Sequence, residues 1–200
     1  MFYRPAEGHG LPHNPFGAIV APRPIGWIST RGTDGRDNLA PYSFFNAVAY
    51  TPPQVMFSTT GGKDDRDFGK DSLANAKDTG VFCVNIAGYA LREAMNVSSG
   101  SFAADRDEFA EAGLEKADCA EIDCPRVAAA PAALECRLLQ IVELKGGASR
   151  MAIGEVVGVH IDDAALVEGR LDVTRYRPLS RLGYNDYASV AEVFEMVRPG

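Results

Sequence analysis

Apolar positions in this chain come in short runs, spaced for strands more often than for helices. Residues 16–20, Phe-Gly-Ala-Ile-Val, form such a run and predict a strand. Pro22 and Pro24 then hold the chain extended. Residues 25–30 predict a second strand, closed by the turn chemistry of Gly32-Thr33-Asp34-Gly35. Residues 39–50 resume as a strand, and Pro41 marks its start as an edge or bulge. Pro52-Pro53 makes a rigid corner, and residues 55–59 run on as another strand. A meander of short strands predicts a barrel or a sandwich.

The pattern then changes. After the polar loop around residues 61–67, Asp71 or Ser72 caps a predicted helix through Ala76 to Lys77, which Gly80 ends. Residues 82–86 read as a buried strand, and residues 91–97 and 107–112 as two short helices. Residues 98–131 hold several Ala and Pro and few large apolar side chains, which predicts a partly helical surface excursion and not a separate domain. Residues 134–145 alternate apolar and polar, residues 146–149 supply a turn, and residues 151–161 return, giving a long hairpin. In the returning strand Ala152, Gly154 and Gly158 leave one face small enough for another backbone or a flat ligand. Residues 190–197 predict a short C-terminal helix. The expectation is one domain over residues 1–200, mainly β with peripheral helices.

Composition narrows the function more than the fold. At 46% apolar and 24% charged, the 200 residues suit a globular domain with a sizeable core. A net charge of -7 argues against sequence-independent nucleic-acid binding, which needs a basic face. No apolar run reaches the roughly 20 residues of a membrane helix. No basic segment leads into an apolar one at the start, so the expected location is the cytoplasm. The four cysteines are too few and too scattered for a disulfide framework. Cys83 lies in an apolar run and belongs in the core; Cys119 and Cys124 suit a metal or redox pair in spacing, but free thiols are the favoured reading.

Several chemistries are unsupported. The chain has no Gly-x-Gly-x-x-Gly after a strand, no P-loop, no Gly-x-Ser-x-Gly and no His-Glu-x-x-His. His9, His13 and His160 do not cluster with carboxylates in a recognised spacing, and His160 reads as a strand-edge residue, not a base. What remains is a set of small polar residues at strand ends, beside aromatics and a helix start, between Arg23 and Ser72. A flat aromatic cofactor with a phosphate tail needs that mixture, because apolar walls cover rings and helix N–H groups hold an anion.

The ordered pieces Arg23-Pro24-Ile25-Gly26-Trp27-Ile28-Ser29-Thr30, Asn38-Leu39-Ala40-Pro41-Tyr42-Ser43-Phe44-Phe45-Asn46, Pro52-Pro53, Lys70-Asp71-Ser72 with Asn75, and Phe82-Cys83-Val84-Asn85 carry a resemblance. Gly154-Glu155-Val156-Val157 and Arg177-Pro178-Leu179-Ser180-Arg181-Leu182-Gly183 extend it over roughly residues 16–187. Together they resemble the flavin reductase-like family, the FMN-binding split-barrel flavoproteins that include flavoredoxin and the reductase components of two-component monooxygenases.

The resemblance implies an FMN-binding split β-barrel of Greek-key type, usually a homodimer with FMN near the subunit interface. It puts Ser43, Phe44, Phe45 and Asn46 along the isoalloxazine edge, and Trp27, Ser29 and Thr30 beside the ring and ribityl chain. Ser58 and Thr59 would meet ribityl or phosphate oxygens. Lys70 and Ser72 would hold the phosphate at the helix start, with Lys63 adding charge and Asp71 capping. Arg181 would face a nucleotide phosphate or an acidic substrate, or else serve a structural ion pair. The implied activity is NAD(P)H:flavin reduction, with electrons passing to free flavin, another small-molecule acceptor or a partner monooxygenase. The alternatives are a flavoredoxin-like electron carrier without a nicotinamide site and a non-catalytic flavin- or haem-binding protein. The nicotinamide-using reductases often carry Asp-His before the Gly-Glu-Val strand; here residues 148–151 read Ala-Ser-Arg-Met. The resemblance names no catalytic acid or base and no metal.

Overall fold

The computed structural model describes residues 1–61, 70–103, 106–147 and 149–200. In chain order, α1 (Phe16–Ile19), β1 (Arg23–Pro24), β2 (Gly26–Arg31), β3 (Asp37–Tyr42), β4 (Phe45–Tyr50) and β5 (Pro53–Thr60) precede α2 (Asp71–Thr79). β6 (Val81–Ile86) leads to α3 (Arg92–Val97), α4 (Glu108–Glu111) and a small hairpin of β7 (Lys116–Asp118) and β8 (Pro125–Val127). The long hairpin β9 (Ala132–Glu143) and β10 (Ser149–Ile161) follows. Then come β11 (Leu166–Val167), β12 (Arg170–Leu171), α5 (Val173–Tyr176), β13 (Leu179–Arg181) and β14 (Tyr187–Ser189).

Seven of these strands form one antiparallel sheet in the order β3-β2-β6-β9-β10-β5-β4. Its two edge strands, β3 and β4, are neighbours in the chain with only Ser43 and Phe44 between them. Flat, seven strands would set the edges about 29 Å apart at the usual spacing. The three steps from Tyr42 to Phe45 reach only about 11 Å. The sheet therefore curls until its edges face each other, and the chain crosses the gap once. The single strand expected over residues 39–50 is two strands for this reason, and the Ser58 N–H of β5 donates to the Phe44 carbonyl at 2.8 Å, which holds the crossing against β5.

The barrel is filled by Ile28, Phe45, Val55, Phe57, Leu73, Phe82, Val84 and Cys136. Small residues sit where rings need the space. A Cβ on Gly26 would lie 2.7 Å from the Phe45 ring, and one on Gly154 would lie 2.5 Å from Phe82. The small face of β10 thus admits the Phe82 ring and, at Gly158, the Glu135 side chain, and not a second backbone or a ligand. A second core lies outside β2, where Trp27, Ile25 and Leu39 meet Met95, Phe109, Val127 and Leu179. The excursion over residues 98–131 is less superficial than its composition suggests: it buries Phe109, Cys124 and Val127, and it holds a β-hairpin besides one short helix.

Two local expectations are corrected. Residues 16–20 are not a strand but one helical turn, because Asn14 Oδ1 accepts the Phe16 N–H at 3.0 Å and no strand offers a ladder. This turn is docked by Arg23, which donates to the carbonyls of Gly17, Val20 and Leu182. Residues 190–200 form no regular element, and Phe194 is 84% exposed. A segment that short has no helical stability without a surface to pack on. His160 lies on β10 beyond the end of the β5 ladder, and its Nε2 meets Glu135 Oε1 at 2.5 Å.

Candidate functional site

The split between β3 and β4 opens a cavity of about 260 Å³. Strand β3 supplies Asn38 and Tyr42, the crossing supplies Ser43 and Phe44, and β5 supplies Ser58 and Thr60. The start of α2 closes one end with Lys70, Asp71 and Ser72. α2 forms here because an extended Lys70 leads into nine helical residues, which Gly80 ends in the left-handed conformation. Lys70 offers no side-chain cap. The start of α2 thus faces the cavity, which Lys70 lines together with the carboxylates Asp71 and Glu108; a helix N-terminus favours a bound anion.

The hydroxyl wall is held by hydrogen bonds. Asn38 Nδ2 donates to Ser72 Oγ at 2.7 Å. Burial pushes the Tyr42 phenol up to about 12, against the opposing bond with Ser72, so it remains a neutral donor at physiological pH. Ser58 Oγ donates to the Arg150 carbonyl at 3.1 Å. The remaining wall is the loop Ser98-Ser99-Gly100-Ser101, positioned by Trp27, whose Nε1 donates to Ser98 Oγ at 2.9 Å. Glu108 also lines the cavity, and its Oε2 accepts the Leu39 N–H at 3.2 Å.

Of the residues singled out from the sequence, Ser43, Phe44, Ser58, Lys70 and Ser72 come together in this cavity. Trp27, Ser29, Thr30, Phe45 and Thr59 are buried behind it. Thr30 Oγ1 accepts from Asn75 Nδ2 at 3.1 Å, which ties β2 to α2. Ser29 Oγ donates to the Pro125 carbonyl at 2.6 Å, and Thr59 Oγ1 donates to the Arg150 carbonyl at 3.4 Å. Asn46 is exposed on β4, where its Oδ1 accepts the Ala47 N–H, and it does not line this cavity. Lys63 lies outside the described residues.

Arg181 lines an adjoining cavity of about 410 Å³ that shares Pro41, Ser43, Phe44 and Ser99 with the first. It makes no ion pair among the described residues; its guanidinium donates to the Tyr187 hydroxyl and the Tyr184 carbonyl and covers the Tyr187 ring. Among the described residues, no carboxylate lines this second cavity. Ser98, Ser99, Ser101, Thr60 and Glu108 escaped the sequence reading. The only signal for the first three was the small polar run itself, in a segment read as surface.

A split antiparallel barrel with an anion-favouring helix start beside its seam defines a class of flavin-binding proteins, and the comparisons agree. Residues 19–180 match the flavin reductase like domain, and the chain belongs to the flavin reductase-like family. An uncharacterized protein of Deinococcus radiodurans is 37% identical over 92% of this chain and 88% of its own. Among solved structures, nitrilotriacetate monooxygenase component B from Bacillus cereus is 30% identical, with a TM-score of 0.84 over 90% of each chain. The Pseudomonas fluorescens 2-nitrobenzoate 2-nitroreductase is 28% identical, with a TM-score of 0.80 over 92% of this chain and 88% of that one. The curled sheet is the split β-barrel of this family. No helix among the described residues is long and apolar enough to cross a membrane.

Proposed function

We propose that this protein is an FMN-dependent oxidoreductase, reducing flavin with NADH or NADPH for a partner monooxygenase or a small acceptor. The observation that carries the reading is the cavity at the barrel seam, with a cation and an α2 N-terminus at one end and an aromatic-lined backbone crossing along it. Lys70, Ser72 and the first turn of α2 would hold the phosphate. Ser58 and Thr60 offer hydroxyls to the ribityl chain. The backbone of Ser43 and Phe44 addresses the ring edge. The donors are the right kind for FMN, and the two joined cavities fall within the roughly 300–1,000 Å³ of small-ligand sites. Bound FMN supplies two-electron chemistry; the chain supplies binding, orientation and exclusion of water.

No residue of the chain is needed as an acid or base for hydride transfer, which depends on stacking within near-attack range. Arg181, in the adjoining cavity, suits the negative group of a donor nucleotide or an acidic acceptor. A homodimer in the cytoplasm fits the exposed Val48 and Tyr50 of β4 and the exposed C-terminal arm, which offer apolar surface to a second copy. Net charge leaves nucleic acid out of the reading.

A carrier that receives electrons from a protein is the second reading. The sequence Ser149-Arg150-Met151, where nicotinamide-using relatives often have Asp-His, favours it. The visible spectrum of the purified protein and the identity of the heat-released flavin test FMN binding. Stopped-flow mixing with NADH and NADPH separates the readings: fast bleaching supports the reductase, and none supports the carrier. A colourless protein that takes up no FMN overturns both.

A further inference from the structure

Three of the four cysteines meet at the far side of β2, away from the flavin cavity. Hairpin β7–β8 ends its ladder at the pair Asp118 and Pro125, so the next opposed pair is Cys119 and Cys124. The Cys119 N–H donates to the Cys124 carbonyl at 3.3 Å. Opposed residues of this kind hold their Cα atoms about 5.5 Å apart, inside the range a disulfide spans. Their side chains leave the same face of the hairpin. Cys124 is buried, and its thiol donates to the Ser29 carbonyl at 3.2 Å. Cys119 is only half-buried and reaches solvent. Cys83 of β6 packs in the same cluster. All four cysteines are thiols in this structure, and no metal-holding group of side chains exists among the described residues.

The surroundings favour reaction at Cys119. The adjacent Cys124 and Cys83 thiols lower the Cys119 pKa, against burial and the Glu135 charge, with His160 adding to the lowering. Glu135 fixes the tip of the hairpin, because its two carboxylate oxygens accept the N–H groups of Ala120 and Glu121, each at 2.7 Å. Cys119 is thus held on an ordered turn next to a second thiol on the facing strand.

We propose that Cys119 and Cys124 form a reversible dithiol–disulfide site, oxidised by a peroxide at Cys119 and reset by a small dithiol. The Cys119 thiolate attacks the peroxide O–O bond; an S–O bond forms, the O–O bond breaks, and the leaving oxygen takes a proton. The Cys124 thiol then attacks the sulfenic sulfur; the S–S bond forms, the S–O bond breaks, and the oxygen leaves as water with the Cys124 proton. The two sulfurs together give up two electrons, and the peroxide gains them. A dithiol reverses the change by exchange and leaves as its own disulfide. Cys83 shields the pair from the barrel side and keeps its thiol. This chemistry does not depend on the flavin reading.

The test uses the full chain as purified, exposed to hydrogen peroxide, then unfolded in guanidinium with iodoacetamide present so that buried thiols are also alkylated, and digested with trypsin. Cleavage after Lys116 and Arg126 places both cysteines in one peptide, residues 117–126, and leaves Cys83 in another. The expected result is a 117–126 peptide lighter by two hydrogens and unalkylated, with Cys83 and Cys136 alkylated, and full recovery after dithiothreitol. Cys119 and Cys124 both alkylated, a Cys83–Cys119 cross-link, or Cys119 overoxidised beside an alkylated Cys124 would overturn the proposal. In Cys124→Ser, Cys119 is expected to stop at the sulfenic acid and be captured by dimedone. A folded Cys124→Ser protein that dimedone does not label also counts against it, and the wild-type result stands whether or not that variant folds.

Discussion

Asn38 on β3 and Ser72 in the first turn of α2 are joined by a 2.7 Å hydrogen bond across 34 positions of sequence. The bond fixes the helix start against the sheet edge. Ser72→Ala removes the acceptor and leaves a buried Asn38 amide unsatisfied, at a cost of about 1–3 kcal/mol. It also removes a hydroxyl from the proposed anion site. We expect a lower denaturation midpoint and about tenfold weaker FMN binding, equivalent to about 1.4 kcal/mol. Titration of the apoprotein by flavin fluorescence measures the second effect, and unchanged affinity would remove Ser72 from the phosphate site.

Lys70→Ala separates charge from hydrogen bonding. Lys70 is the N-cap residue of α2 and lines the cavity, so loss of its charge should weaken FMN more than riboflavin, which lacks the phosphate. The wild-type preference for FMN should also shrink as salt rises. Equal weakening for both flavins would place the phosphate elsewhere.

Trp27 lies wholly inside the outer core, yet its indole N–H reaches Ser98 in the cavity wall. Trp27→Phe keeps most of the apolar contact and deletes that bond, worth about 1 kcal/mol. The 98–101 loop loses its anchor. Flavin affinity is expected to fall, and hydrogen exchange should rise in the loop before it rises in β2.

Gly154→Ala sets a methyl 2.5 Å from the Phe82 ring in the barrel core. Overpacking of this kind costs about 1–3 kcal/mol. Thermal denaturation should show a lower midpoint than wild type, and Phe82→Leu in the same chain should recover part of the loss.

Glu135 gives acid a specific point of attack. Burial pushes its carboxyl up, but the Ala120 N–H, His160 and the Glu121 N–H outweigh burial and hold it below the usual carboxylate range. The unfolded chain then binds this proton more readily than the folded one. The stabilisation is fully present above the ordinary value of 4.5 and is lost as pH falls through the lower folded value. Urea midpoints for wild type and Glu135→Gln should differ at pH 7 and converge in acid. A constant difference across that span would contradict the assignment.

Much of this architecture was legible in the residues themselves. The long hairpin, the strands around Ile28 and Val84 and the helix ended by Gly80 all follow from local periodicity and turn chemistry. The cavity was half legible: Ser43, Phe44, Ser58, Lys70 and Ser72 sit near one another in the chain, at strand ends or a helix start. Ser98 was not, because what makes it a wall residue is a bond to Trp27 across 71 positions. Trp27, Ser29 and Thr30 stand out by their place in a motif, and what the structure adds is their burial and their bonds to Ser98, the Pro125 carbonyl and Asn75, which local pattern does not carry. The turn at Phe16 and the open arm after Val190 were misread for one reason. Both are apolar segments whose form depends on what they dock against, and local pattern does not carry that information.

Only Ser43 and Phe44 join the two sheet edges, and those edges share no ladder hydrogen bonds. A molecule lodged there would stitch the barrel shut. Cofactor loading and mechanical closure of the fold would then be one event, and a chain emptied of its cofactor should gape first along that line.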